Sequence, residues 1–166
     1  MRRQKMTRNE MLEILRSTGR GLGAATDGLN EEELRWEPAP GEWSIKEVVC
    51  HMREFSEVYS DRLERTIAEY VPFLKGYDQE ALAREKDYQN AEWSAVVPSF
   101  IEHRRRALKL LSEMGDDGWG RGCHHEEAGP LRLEDLVARM ASHDLMHLEQ
   151  IEEIRRAIPT SQRASS

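Results

Sequence analysis

From Leu136 to Ile158 the apolar stripe of this chain advances only by steps of three and four: Leu136, Met140, His143, His147, Ile151, Ile154, Ile158. A strand would need a period of two, so the stretch can bury that stripe only as an α-helix. Pro159 stops it. The same period, broken by Gly and Pro punctuation, runs through the rest of the sequence and predicts four main helices in an all-α fold.

The first helix is expected from Thr7 to Leu29, with Met11, Ile14, Leu15, Leu22, Ala25 and Leu29 on one face. Gly19, Gly21 and Gly23 interrupt it. Each costs roughly 1 kcal/mol relative to Ala in a helix, which predicts a bend or the close passage of another backbone. The segment from Trp36 to Gly41 holds Pro38 and Pro40 and cannot continue a helix. Ser44 followed by Glu47 reads as a capping box that starts the second helix. Val48, Met52, Phe55, Tyr59 and Leu63 form its stripe, and it should end near Tyr70, before Pro72. A short connecting helix is expected from Asp78 to Lys86. The third long helix is read as capped by Ser94 and closed by Gly115, with Phe100, Ile101, Leu108 and Leu111 inward and Pro98 distorting its first turns. The Gly-rich run DDGWGRG then leads through Cys123, His124 and His125 to Gly129 and Pro130, and reads as a loop. Residues 1–159 are expected to form one domain, and 160–166 a disordered polar tail.

A chain of 166 residues can bury a core without disulfides or a structural metal, so any metal would serve function. The net charge of -7 gives no attraction for phosphate backbones or anionic lipid, which argues against nucleic acid and membrane partners. Cys50 and Cys123 are too few and too far apart for a disulfide framework or a cysteine-based zinc knuckle, and suit a reducing cytoplasm. The basic start MRRQKM leads into mixed polar sequence and lacks a secretory core. No apolar run approaches the length that spans a bilayer.

Two histidines break the seam of the last helix. At i, i+4 spacing, the imidazoles of His143 and His147 share one face about one turn apart and can converge on a metal ion. His51 lies between Val48 and Phe55 on a three-then-four spacing, so it also points inward. Three inward histidines from two helices can supply three neutral nitrogen ligands and leave a fourth position open, as catalytic zinc-like sites do. The alternative is three hydrogen-bonded core histidines. A di-iron bundle is disfavoured, because none of the six histidines has Glu three residues before it. Glu47, one turn before His51, and Asp144, next to His143, are candidate orienting groups or proton acceptors. Capping gives Glu47 another role, and Asp144 points about 100° from His143, toward solvent or a partner helix. Cys50 differs in direction from His51 by the same angle and reads as a small core residue.

The strings WEPAPGEWSIKEVVCHMREFSEVYSDRL and GPLRLEDLVARMASHDLMHLEQIEEIRR resemble the DinB-like superfamily of metal-dependent enzymes. The specific parts are the Trp43-Ser44 helix start with its following His51, and the segment from His143 to His147. The resemblance implies a four-helix bundle of up-down-down-up course and frequent homodimers. It also implies one zinc, nickel or similar divalent ion per chain, held by His51, His143 and His147. Relatives often place an acidic residue five positions after the first His, where this chain has Ser56. His125 resembles a loop His of the relatives, although loop histidines are usually solvated. The activity implied acts on a small molecule. It is transfer of a low-molecular-weight thiol to or from a small electrophile, with metal-dependent hydrolysis or a non-catalytic, stress-associated metal-binding dimer as alternatives.

Overall fold

The computed structural model describes residues 5–159, so the expected tail at 160–166 lies outside the described residues. Four long helices dominate: α1 (Arg8–Thr26), α3 (Ile45–Ala68), α5 (Trp93–Glu113) and α6 (Leu133–Ala157). Their starts follow local chemistry. Thr7 with Glu10, and Ser44 with Glu47, form reciprocal capping boxes at α1 and α3. The cap of α5 is Glu92 rather than Ser94, because the Glu92 carboxylate accepts from both the backbone N–H and the hydroxyl of Ser94. Pro98 sits inside α5 without ending it.

Apolar residues of the four helices collect in two clusters, and these give the course of the chain. Met11 and Leu15 of α1 meet Leu133 and Leu136 of α6 at one end, while Leu22 and Ala25 meet Ile151 and Ile154 at the other. Those two helices therefore run parallel. The start of α3 (Ile45, Val48) and of α5 (Val96, Phe100) lies at the second end, and Leu63 and Leu111 at the first. The course is up-down-down-up, the bundle expected.

Two parallel neighbours, α3 and α5, require a crossover. It carries β1 (Phe73–Leu74), α4 (Gln79–Glu85, capped by Asp78) and a 3-10 turn at Tyr88–Asn90. A second short helix, α2 (Glu31–Arg35), precedes α3. Its Asn30–Glu33 capping box is the same sequence signal that marked α3. Between α5 and α6, the stretch read as a loop forms β2 (Gly122–His125) and β3 (Gly129–Arg132). β2 pairs in parallel with β1, Phe73 opposite His124, and antiparallel with β3, Cys123 opposite Leu131. Strands of two to four residues are too short to show alternation, and Gly129 turns the hairpin at a φ of 72° that favours glycine.

α1 runs unbroken through its three glycines, and side chains rather than a backbone lie against two of them. A Cβ at Gly19 would lie 3.0 Å from Ile101 Cγ1, and one at Gly21 would lie 3.2 Å from Leu148 Cδ1, so side chains of α5 and α6 occupy the space. Ile101, expected inward, is 46% exposed. The buried face of α5 runs Val96, Phe100, Arg104, Ala107, Leu111, which leaves Ile101 flanking it over Gly19. Among the described residues no helix is long and apolar enough to cross a membrane.

Candidate metal centre

The two apolar clusters do not meet directly along the bundle axis. Between them lies a polar layer drawn from all four long helices: Thr18, His51, Arg104, His143, Asp144 and His147. Three of these converge. One ring nitrogen from each of His51, His143 and His147 lies within 4.8 Å of the others. The Nε2 atoms of His51 and His143 are 2.8 Å apart.

Packing fixes the rings. Phe55 stacks on His143 with centroids 3.5 Å apart and planes within 9°, and Trp43 lies 5.1 Å from His51. His147 Nδ1 is 2.7 Å from Gln150 Oε1; the amide oxygen can only accept, so the ring proton sits on Nδ1 and the Nε2 lone pair is free. The reading of three satisfied core histidines is not supported. Among the described residues, Nδ1 of His51 and Nδ1 of His143 are buried with no hydrogen-bond partner. Such orphans cost roughly 1 to 3 kcal/mol each, which a bundle built for stability alone would avoid.

Electrostatics favour neutral rings. Burial, then His147, pushes His51 down to about 4. Burial acts likewise on His143, with His147, His51 and Arg104 adding to it, and on His147 against the opposing bond to Gln150. All three therefore carry available lone pairs at neutral pH, the state that a metal requires. Among the described residues no carboxylate or thiol joins the three, so the donor set is borderline nitrogen and suits zinc, nickel or similar ions better than magnesium or calcium.

The other candidates fall elsewhere. Glu47 caps α3 and accepts from Gln89. Asp144 does not face solvent: it is 0% exposed, accepts from Thr18 Oγ1 at 2.8 Å and from Arg104 at 2.9 Å, and thereby ties α6 to α1 and α5. Burial pushes the Asp144 carboxyl up and the Arg104 guanidinium down, and the charge of each opposes the shift of the other. Arg104 was not foreseen. Its buried step, four residues after Phe100, could have been read from the α5 period. His125 is also buried, not solvated; its Nδ1 accepts from the backbone N–H of Glu127 and of Ala128, and it stands outside the three-ring group. Ser56 is 0% exposed and its hydroxyl has no partner. Cys50 is a core residue whose thiol donates to the Tyr88 carbonyl.

The up-down-down-up bundle encloses three converging imidazoles, an arrangement able to hold one metal ion. The chain is a member of the DinB superfamily, whose sequence model matches residues 8–151. It is 23% identical over 153 residues to “Putative metal-dependent hydrolase YfiT” of Bacillus subtilis, covering 92% of this chain and 86% of that protein. A relative from Geobacillus kaustophilus, GK0616, carries the same description and is 28% identical over 152 residues, covering 89% of this chain and 83% of the relative. The solved structure of YfiT, described as having an unusual four-helix bundle topology, superposes with a TM-score of 0.84 at 22% identity, over 94% of this chain and 91% of that one. A mycothiol-dependent maleylpyruvate isomerase, solved as a point mutant, gives 0.68 at 10% identity, over 88% and 61%, and shares the fold.

Proposed function

We propose that this protein is a metal-dependent enzyme in which His51, His143 and His147 hold one zinc or nickel ion, and that it transfers a low-molecular-weight thiol to or from a small electrophile. The observation that carries the reading is the donor set: three neutral imidazoles, two buried and one half-buried, with no carboxylate among them in the described residues. With only neutral ligands a bound dication keeps its full charge, leaves a position open, and lowers the pKa of a thiol or water placed there.

The residues themselves do the positioning. Gln150 fixes the tautomer of His147, and Phe55 and Trp43 hold the other two rings in place. Among the described residues nothing in the cluster serves as a strong base. A thiol, whose own pKa is about 8.5, needs no such base to ionise near a dication. Water needs more help, so the donor set favours sulfur. The descriptions of YfiT and GK0616 favour hydrolysis as the second reading.

The test is paired. Protein purified without chelator is expected to carry about one divalent ion per chain, lost in His143→Ala and His147→Ala, and the loaded protein to conjugate a small thiol to a haloalkyl acceptor above the free-metal rate. Ester or amide cleavage without any thiol-dependent rate would replace transfer by hydrolysis. Failure to load zinc or nickel near neutral pH would remove the metal assignment.

A further inference from the structure

The cluster is not sealed. His147 is 8% exposed, and it lines a hollow of about 640 Å³ walled by Glu42 and Trp43 from the loop before α3, Glu80 from α4, and Gln150 and Glu153 from α6. Its Nδ1 is committed to Gln150, while its Nε2 has no hydrogen-bond partner among the described residues. A molecule reaching the three rings from this side passes that wall.

The wall is charged in one sense. Glu42, Glu80 and Glu153 line the hollow, and among the described residues neither Lys nor Arg does. None of the three carboxylates is in an ion pair or side-chain hydrogen bond among the described residues. Arg155, two residues after Glu153, donates to the carbonyls of Ala24, Ala25 and Asp27 at the end of α1. The adjoining hollow shares Glu42 and Glu80 and adds Glu37, Glu47 and Asp87 against Arg84 alone. Uncompensated charge in a concave wall focuses a field on whatever enters it. Trp43 acts in the same sense, since an indole face attracts ammonium groups and not carboxylates. Glu153 lies six residues beyond His147, about 9 Å along α6, so sulfur at the rings and charge at the wall fit within one small molecule.

We infer that Glu42, Glu80 and Glu153 are specificity-determining residues that select a small thiol bearing an ammonium group and discriminate against carboxylate-bearing thiols. The inference rests on the thiol-transfer reading for the sulfur, and on the wall alone for the charge.

The experiment is calorimetric titration of the zinc-loaded protein at low ionic strength, with no acceptor present. The probes are cysteamine, mercaptoethanol and mercaptopropionate, with propylamine, propanol and propionate as sulfur-free counterparts. Intrinsic thiol acidity already ranks the three thiols, so the deciding quantity is how their affinity ratio changes on substitution. In the triple variant Glu42→Gln, Glu80→Gln, Glu153→Gln, the preference for cysteamine over mercaptopropionate should fall about five- to twenty-fold, as expected for two or three exposed ion pairs. Added salt should narrow the native preference in the same direction. Zinc content reports that the variant retains its site. A ratio unchanged to within about two-fold, with zinc retained, would overturn the inference. If thiols bind no better than their sulfur-free counterparts, the thiol reading fails by itself, while the amine-to-carboxylate ratio of the counterparts still judges the acidic wall.

Discussion

The Arg104–Asp144 pair allows a quantitative test of the polar layer. Its side chains are 4% and 1% exposed, and Arg104 Nε and Nη1 have no partner among the described residues, so the guanidinium depends on Asp144 for its charge compensation. Asp144→Asn keeps the shape and the contact with Thr18 but removes that charge. Breaking one side of a buried pair costs about 3 to 5 kcal/mol, because the remaining ion stays buried. At about 2 to 4 °C per kcal/mol for a chain of this size, the melting temperature should fall by roughly 10 °C. Arg104→Met strands the carboxylate instead and should cost a similar amount. The double variant buries no ion, and its loss should be well below the sum of the two singles, with a coupling of about 2 to 3 kcal/mol. Circular dichroism melts in the presence of chelator, near pH 7, measure all four corners of the cycle without a contribution from bound metal. Additivity to within about 0.5 kcal/mol would refute the argument, since it would mean that the two groups do not compensate each other.

Gln150→Leu removes the acceptor from His147 Nδ1, and should weaken zinc affinity about 10- to 100-fold in a chelator competition while leaving helix content intact; unchanged affinity would show that the tautomer needs no such anchor. In metal-stripped protein His51 is held near 4, against about 6.5 when unfolded, so the unfolded chain binds the extra proton. Stability should therefore be complete above pH 6.5 and fall as the pH drops through 4, by about 3 kcal/mol from this ring; His51→Gln should flatten the slope, and an identical slope in that variant would count against burial as the cause. Gly23→Ala meets nothing within 4 Å and should stabilise by about 0.5 to 1 kcal/mol in urea melts, whereas Gly19→Ala must displace Ile101 and should gain less; equal gains would contradict the packing described for α1.

The four long helices were legible because each carries a stripe longer than its punctuation, and the seam from Leu136 to Ile158 lies inward as spaced. The convergence of His51 with His143 and His147 was legible for the same reason, since periodicity reports direction whatever the residue type. Short elements escaped. Two residues of β1 and four of β2 have no period to read, and their pairing joins segments some fifty residues apart, with Phe73 opposite His124. Ile101 was assigned inward by type and is half-exposed, while Arg104, given no direction from the sequence, is buried. Which of them is buried depends on where Asp144 and Gly19 stand on other helices, and one helix does not encode that. The acidic wall escaped as well, since its carboxylates come from a loop, from α4 and from α6.

The polar layer also fixes alignment along the bundle axis. Leu, Ile, Val and Met repeat every three or four positions above and below it, so sliding a helix past its neighbours by one turn, about 5.4 Å, would replace one apolar contact by another at little cost. The layer removes that degeneracy. With Thr18, Arg104 and Asp144 on three different helices, a one-turn slip of any one of them sets an ion against an aliphatic side chain and leaves its counterpart alone. The groups that weaken the core at mid-height are thus the index marks that bring His51 of α3 level with His143 and His147 of α6.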